Sequence, residues 1–264
     1  MRIGLSALVL ILLLWFNFGQ QSNAAAVMQR SADLFDDRPA RSILIVGNSR
    51  TFYNDMPDML RKVADSAGSP TKFQVESSAY PAATFKTHWE KDRSRKLLAE
   101  GWDDVILQPE SGANACRICN ETFLEYGPKL AATARLSSGR ARLVVGWPYD
   151  SKVYDEEYYA ESGFGRSDHL QLIREMHAKL ASDANLGRIN VAGPWEKVRL
   201  TNPSIKLTTD GNHPTVAGTY LYALAVYAHL SNGPVNHVEF VPDGMTAEDA
   251  RAIREAVDSI PLLP

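Results

Sequence analysis

Cysteine is scarce in this sequence: 264 residues contain two, Cys116 and Cys119, in the string Cys-Arg-Ile-Cys. That count excludes a disulfide-built scaffold. A zinc site would need two more ligands, which are not visible nearby. A haem attachment would need histidine after the second cysteine, where Asn120 stands. A thioredoxin-type role needs the motif at a helix start within a thioredoxin-like order, which the rest of the chain contradicts. Cys116 and Cys119 are candidates for a small local disulfide pinning a loop, as suits an exported protein. Positive charge is also in short supply, with 28 Lys and Arg against 31 Asp and Glu. No basic patch stands out, so no nucleic-acid partner is expected. Beyond Phe16 there is no long apolar run, and low-complexity tracts, internal repeats and Pro/Gly-rich linkers are missing. One domain is the economical organisation. No metal or organic cofactor is implied.

The N-terminus carries the longest apolar stretch. Arg2 is followed by Ala7 to Phe16, then by Gln20 and Gln21, then by Ser22-Asn23-Ala24-Ala25-Ala26, which offers small-x-small cleavage sites. This is the layout of a secretory signal peptide over residues 1–24, with an uncleaved N-terminal anchor as the alternative. The apolar core is too short for an ordinary membrane span. The expected location is therefore secreted or periplasmic, with no stable membrane insertion after cleavage. Residues 25–41 are largely polar and read as a flexible tether, and 42–264 as the domain.

Ser42-Ile43-Leu44-Ile45-Val46-Gly47-Asn48-Ser49 is an apolar run that stops at a turn. Four consecutive apolar residues, three of them β-branched, predict a strand buried on both faces, as in a parallel sheet. Ser49 then sits at the carboxyl end of the first strand, where open α/β sheets place their ligands. A serine nucleophile needs a general base, an acid to orient that base, and donors for the developing oxyanion. Asp210-Gly211-Asn212-His213-Pro214 supplies the acid and the base.

These residues resemble the SGNH (GDSL-like) hydrolases, serine esterases on a flavodoxin-like α/β/α sandwich. Their first block is matched by Gly47-Asn48-Ser49 and their last, Asp-x-x-His, by Asp210 to His213. Tyr53-Asn54-Asp55-Met56-Pro57 resembles one branch of the family. The similarity runs from about Ser42 to Leu230. It implies a three-layer sandwich around a five-stranded parallel sheet, with Ser49, His213 and Asp210 as catalytic triad. It further implies an oxyanion hole from the N–H of Ser49, the N–H of Ala82 and the side-chain amide of Gln108, with Asn114 as fallback. Two blocks depart from the pattern. Ala82 stands where the family usually has glycine, which is harmless if the position does not demand a positive φ. Gln108-Pro109-Glu110-Ser111 replaces Gly-x-Asn-Asp, and Gln108 is equally read as merely capping a strand end.

Between the blocks, strands are expected near Phe73–Ser77, Asp104–Gln108, Ala141–Gly146 and Ile189–Ala192. Helices are expected from Asp55 to Gly68, from Thr84 to Glu100, from Thr122 to Leu136, up to Ser182, at Trp195–Leu200, at Val216–Leu230 and at Thr246–Ile260. His88 reads as a surface or packing residue. The aromatic segment from Asp150 to Asp168 reads either as a lining of the substrate cleft or as a surface loop packed on the domain. The function expected is ester hydrolysis through an acyl-enzyme, on small acyl esters such as acetylated carbohydrates. An O-acyltransferase and a glycan- or envelope-binding module on the same fold are the alternatives. Oligomeric state is not legible.

Overall fold

Strand β1 (Ala40–Gly47) owes its place to the run Ile43, Leu44, Ile45 and Val46, each fully buried. Successive side chains of a strand point to opposite faces, so this run needs a hydrophobic cover on both sides. It lies between β2 (Lys72–Ala79) and β3 (Asp104–Leu107), with Val46 level with Ser78 on one side and Leu107 on the other. Strands β4 (Ala141–Val145) and β5 (Gly187–Asn190) complete an all-parallel sheet in the order β2-β1-β3-β4-β5. In this order the winding reverses between β1 and β3, and the crevice outside their carboxyl ends is where such sheets bind ligands. The structure, a computed structural model, describes residues 36–110, 117–138, 140–150 and 165–264. The chain divides into Met1–Pro39 and Ala40–Pro264, and this fold is that of the second unit. The leader over 1–24, most of the tether over 25–41, the Cys116–Cys119 bridge, the fallback Asn114 and most of the aromatic segment lie outside the described residues.

The helices, in chain order, are α1 (Ser49–Phe52), α2 (Met56–Ser66), α3 (Phe85–Glu90), α4 (Asp92–Ala99), α5 (Arg117–Ser138), α6 (Arg166–Ala184), α7 (Ala192–Thr201), α8 (Val216–Ser231) and α9 (Ala247–Asp258). They form two layers. Ile43 and Ile45, with Ile106, Val144 and Ile189, pack against Leu60 and Val63 of α2, Leu224 of α8 and Ile253 of α9. Leu44 and Val46, with Val105, Leu107 and Leu143, pack against Phe85 of α3, Leu98 of α4, Leu130 of α5 and Leu180 of α6. The alternation along β1 thus builds the three-layer α/β/α sandwich. Helix α8 is buried nearly all round from Gly218 to Ala228, as its apolar sequence predicts. Thr215 caps it by accepting the Gly218 N–H at 3.1 Å. No helix among the described residues is long and apolar enough to cross a membrane.

Several boundaries differ from expectation: the helix expected over Thr122–Leu136 spans Arg117–Ser138, the strand expected over Ile189–Ala192 spans Gly187–Asn190, and two further differences have a physical reason. The helix expected over Thr84–Glu100 is broken at Lys91, which is extended at φ −85°, ψ 122°. The break lets the Ser94 hydroxyl reach the fully buried His88 ring at 3.0 Å. Two short helices satisfy this internal polar pair where one straight helix would keep Ser94 and His88 on different faces. Gly193-Pro194, expected to end β5, lies instead in the first turn of α7, where a missing N–H costs no helical hydrogen bond.

Candidate active site

The loop after β1 is held by close approach. A Cβ on Gly47 would lie 2.4 Å from Thr51 Oγ1 and 2.7 Å from Gln108 Oε1, so only glycine fits. Asn48 then caps α1: its Oδ1 accepts the Arg50 N–H at 3.0 Å, while its Nδ2 donates to the carbonyls of Ala83 (3.4 Å) and Pro109 (3.3 Å). One side chain therefore ties the β1 loop to those after β2 and β3. Ser49 is the first residue of α1, where a backbone N–H has no intrahelical acceptor. Below it, His88 contacts the Gly47 carbonyl through Nε2 at 2.9 Å. Burial pushes the His88 pKa down to about 4, so it stays neutral and donates from Nε2.

The loop between α7 and α8 closes on itself through the Thr209 N–H to the His213 carbonyl, 2.9 Å. Inside it, Gly211 takes φ +86°, and Asp210 Oδ1 accepts the N–H groups of Asn212 (3.0 Å) and His213 (2.8 Å). Asp210 Oδ2 lies 2.6 Å from His213 Nδ1, and His213 Nε2 lies 2.9 Å from Ser49 Oγ. The network assigns the proton to Nδ1, leaving Nε2 to accept from the serine hydroxyl. Burial alone would raise the Asp210 carboxyl. Hydrogen bonds from the His213 ring and from the N–H groups of His213 and Asn212 outweigh it and hold the carboxyl below its ordinary value. Serine, histidine and aspartate, 164 and 3 residues apart in sequence, thus form one hydrogen-bonded chain.

Two residues that sequence reasoning passed over shape this chain. Tyr53 stacks on the His213 ring, with centroids 4.4 Å apart and planes 12° from parallel. It is held there by two consecutive left-handed residues, Asn54 (φ 52°) and Asp55 (φ 47°). Asn54 Nδ2 donates to the Pro214 carbonyl and to Thr219 Oγ1, both at 2.9 Å. Arg50 is buried beside Ser49. Its Nε donates to Asn212 Oδ1 at 2.9 Å, its Nη1 to the Trp147 carbonyl at 2.7 Å, and its guanidinium lies 4.3 Å from the Trp147 ring centroid. The Tyr53-Asn54-Asp55 string carried a signal for the first; nothing in the sequence singles out the second.

Ser49 and His213 open on a cleft of about 590 Å³, walled by Tyr53, Ala82, Glu110 and Tyr149, a size suited to a small-molecule ligand. Ala82 is exposed at the rim and adopts φ +51°, so the position does demand the left-handed region. Gln108 is not brought into the cleft. Its Oε1 accepts the Asn48 N–H and the Thr51 hydroxyl, both at 3.0 Å, and its Nε2 donates to the Pro109 carbonyl. With these contacts Gln108 holds the β1 loop from beneath. Among the described residues no group of three His, Cys, Asp or Glu could hold a metal ion.

No protein-family model and no curated protein matches the sequence. Solved structures do. A DUF4886 family protein from Bacteroides uniformis superposes with a TM-score of 0.72 at 16% identity, over 83% of this chain and 94% of that one. A candidate SGNH hydrolase from Slackia heliotrinireducens gives a TM-score of 0.59 at 28% identity, over 72% and 99%. An acetyl xylan esterase gives 0.57 at 14% identity, over 71% and 98%. The sheet order, the crevice between β1 and β3 and these likenesses lead to one conclusion: the chain has the SGNH/GDSL-like hydrolase fold.

Proposed function

We propose that this protein is a serine carboxylic-ester hydrolase acting through an acyl-enzyme, with Ser49 as nucleophile, His213 as general base and Asp210 as the acid that orients it. The observation that carries the reading is the pair of contacts at 2.9 Å and 2.6 Å joining Ser49 Oγ to His213 and His213 to Asp210. As Ser49 Oγ attacks the ester carbonyl, His213 Nε2 takes its proton, and the Asp210 carboxylate stabilises the imidazolium that forms. The Ser49 and Ala82 N–H groups serve as oxyanion donors, and removal of one such donor typically costs about 3 kcal/mol of transition-state stabilisation. His213 then returns the proton to the leaving alcohol, and water, activated by the same histidine, releases the acid.

Small acyl groups on carbohydrate alcohols are the substrates proposed. The aromatic rim of Phe52, Tyr53 and Tyr149 supports this, since such faces suit sugar rings, as does the acetyl xylan esterase among the similar folds. The leader expected over 1–24 would put this chemistry in the periplasm or outside the cell. The test is hydrolysis of p-nitrophenyl acetate, butyrate and octanoate beside Ser49→Ala. Fastest turnover of acetate, lost in the variant, supports the reading. Equal inertness of wild type and variant overturns simple ester hydrolysis in favour of acyl transfer or glycan binding.

A further inference from the structure

The string Tyr53-Asn54-Asp55-Met56-Pro57 supplies neither a reacting proton nor an oxyanion donor, yet it links the two loops that carry Ser49 and His213. Toward Ser49, the Tyr53 N–H bonds the Ser49 carbonyl and closes α1. Toward His213, the Tyr53 ring covers the imidazole at 4.4 Å. Asn54 then turns the chain in the left-handed region, at φ 52° and ψ 27°. Both Nδ2 hydrogens of its amide are used, one on the Pro214 carbonyl and one on Thr219 Oγ1, each at 2.9 Å. A carbonyl only accepts, so the Nδ2 end of the amide must face Pro214. Thr219, fully buried on α8, passes its own hydroxyl hydrogen to the Tyr53 carbonyl at 3.5 Å. Tyr53-Asn54 is thus tied to Ser49 at one end and, through Pro214 and Thr219, to the His213 segment and α8 at the other.

We propose that Asn54 is a positioning residue of the esterase, whose side-chain amide fixes His213 at proton-transfer distance from Ser49. The inference rests on the ester-hydrolase reading. In that reading Ser49 Oγ bonds the ester carbonyl carbon, its proton passes to His213 Nε2, and the C=O electron pair moves onto the carbonyl oxygen. The transfer depends on the 2.9 Å between Oγ and Nε2. Asp210 cannot hold that distance, because it lies three residues from His213 on the same loop and moves with it. The hold must come from outside the loop. Both neighbours of His213 are gripped by side chains from the connection after β1: Asn212 by Arg50 Nε and Pro214 by Asn54 Nδ2, each at 2.9 Å. Arg50 is buried, whereas Asn54 is exposed. Water can take the place of an exposed amide, so what Asn54 adds is direction more than stability. The residue type meets two demands at once. Glycine would accept the left-handed backbone but has no amide, and aspartate would tolerate that backbone but has no hydrogen for a carbonyl. Asp55 repeats the left-handed turn at φ 47°, and backbone of this kind persists at sites where the surroundings over-determine it.

The experiment measures kcat and KM for p-nitrophenyl acetate, per active site counted by fluorophosphonate labelling, for wild type, Asn54→Gly, Asn54→Asp, Thr219→Val, Asn185→Gly and Ser49→Ala. Asn54→Gly keeps the left-handed backbone and deletes the amide. Asn54→Asp keeps size and backbone but presents only acceptors to Pro214. Both should lose about tenfold or more in kcat with KM within about twofold of wild type, because a misplaced His213 is felt in the transition state and not in binding. Thr219→Val removes one of the two acceptors and should lose about 2–5-fold in kcat. Asn185→Gly makes the same backbone exchange at the left-handed cap of α6, φ 52°, away from the cleft, and should keep the wild-type kcat. A kcat within about twofold of wild type in either Asn54 variant overturns the proposal, as does a loss confined to KM or matched by Asn185→Gly. If one Asn54 variant does not fold the other decides, and if neither folds a wild-type kcat in Thr219→Val overturns it. Any of these failures, with wild-type activity still dependent on Ser49, leaves the ester-hydrolase reading standing. A wild type that neither hydrolyses the ester nor is labelled at Ser49 overturns both.

Discussion

Ala82 is an L-residue in left-handed backbone, at φ +51° on the rim of the cleft. Placing a Cβ there costs about 1–2 kcal/mol, from the approach of Cβ to the following carbonyl. Ala82→Gly relieves that strain but gives the unfolded chain about 0.4–1 kcal/mol more freedom to lose. The difference is a net stabilisation of about 0.5–1 kcal/mol. For a domain of this size each kcal/mol moves Tm by about 2–4 °C, so the expected rise is about 1–4 °C. Gly68 supplies the reciprocal control, with φ +64° and nothing within 4 Å of where its Cβ would be. Gly68→Ala imposes the same backbone strain without a steric clash, and should lower Tm by about as much as Ala82→Gly raises it. Differential scanning calorimetry of both variants measures the pair. A fall in Tm for Ala82→Gly beside the expected fall for Gly68→Ala would refute the assignment of strain to Ala82. The Ala82 N–H is retained in either case, so any change in kcat reports loosening of the rim rather than loss of a donor.

Two further outcomes follow from groups around the site. Tyr53→Leu removes the aromatic face stacked on His213; a cation–π contact at a part-exposed position is worth about 0.5–1 kcal/mol, so kcat for p-nitrophenyl acetate should fall about 2–5-fold. Tyr53→Phe, which keeps the face, should recover most of it, and equal losses in both variants would refute an aromatic role. Stability should also fall as pH drops from 6.5 to about 4. Burial lowers the folded-state pKa of His88 and His177 from 6.5 to about 4, so in that window the unfolded chain binds protons that the folded chain refuses. The urea midpoint at about pH 7 should therefore exceed that at about pH 4.5, and a flat or rising midpoint on acidification would count against neutral buried imidazoles.

How much of this was legible depends on the range of the interaction that decides each feature. Strand β1 and helix α8 are written locally, as an apolar run ended by glycine and as a helix apolar on every side, and both form where expected. The turns that hold Ser49, Asp210 and His213 are also local: Asn48 caps the helix that starts at Ser49, and Asp210 bonds backbone groups two and three residues on. The features that escape depend on partners far away in sequence. Gln108 turns inward because the Asn48 N–H, 60 residues earlier, takes its Oε1. The helix breaks at Lys91 because His88 must satisfy the Gly47 carbonyl, 41 residues earlier, and Ser94 together. Arg50 follows Ser49 in sequence, yet its partners Trp147 and Asn212 lie 97 and 162 residues on. No spacing rule reaches them.

Arg50 also explains how Asp210 and His213 keep their geometry although exposed. The Asp210 side chain is 47% exposed and that of His213 23% exposed, so water and salt screen their attraction, and an ion pair in that position is worth little by itself. Orientation must come from the loop. Asn212, between Asp210 and His213, accepts from Arg50 through its side chain and from Trp147 Nε1 through its carbonyl at 3.1 Å. Trp147 in turn lies under the Arg50 guanidinium and stacks on Trp195 of α7, with centroids 3.9 Å apart. The segment carrying His213 is thereby fixed to the β1 loop that carries Ser49 and to the end of β4, on the side away from solvent. A planar guanidinium suits this junction because it can donate along its edge to two loops while its face covers an indole. A lysine would offer a single ammonium to the same carbonyls without the stacking face. The 2.9 Å contact between Ser49 and His213 is thus set from below, by the buried Arg50 and Trp147, which do not line the cleft.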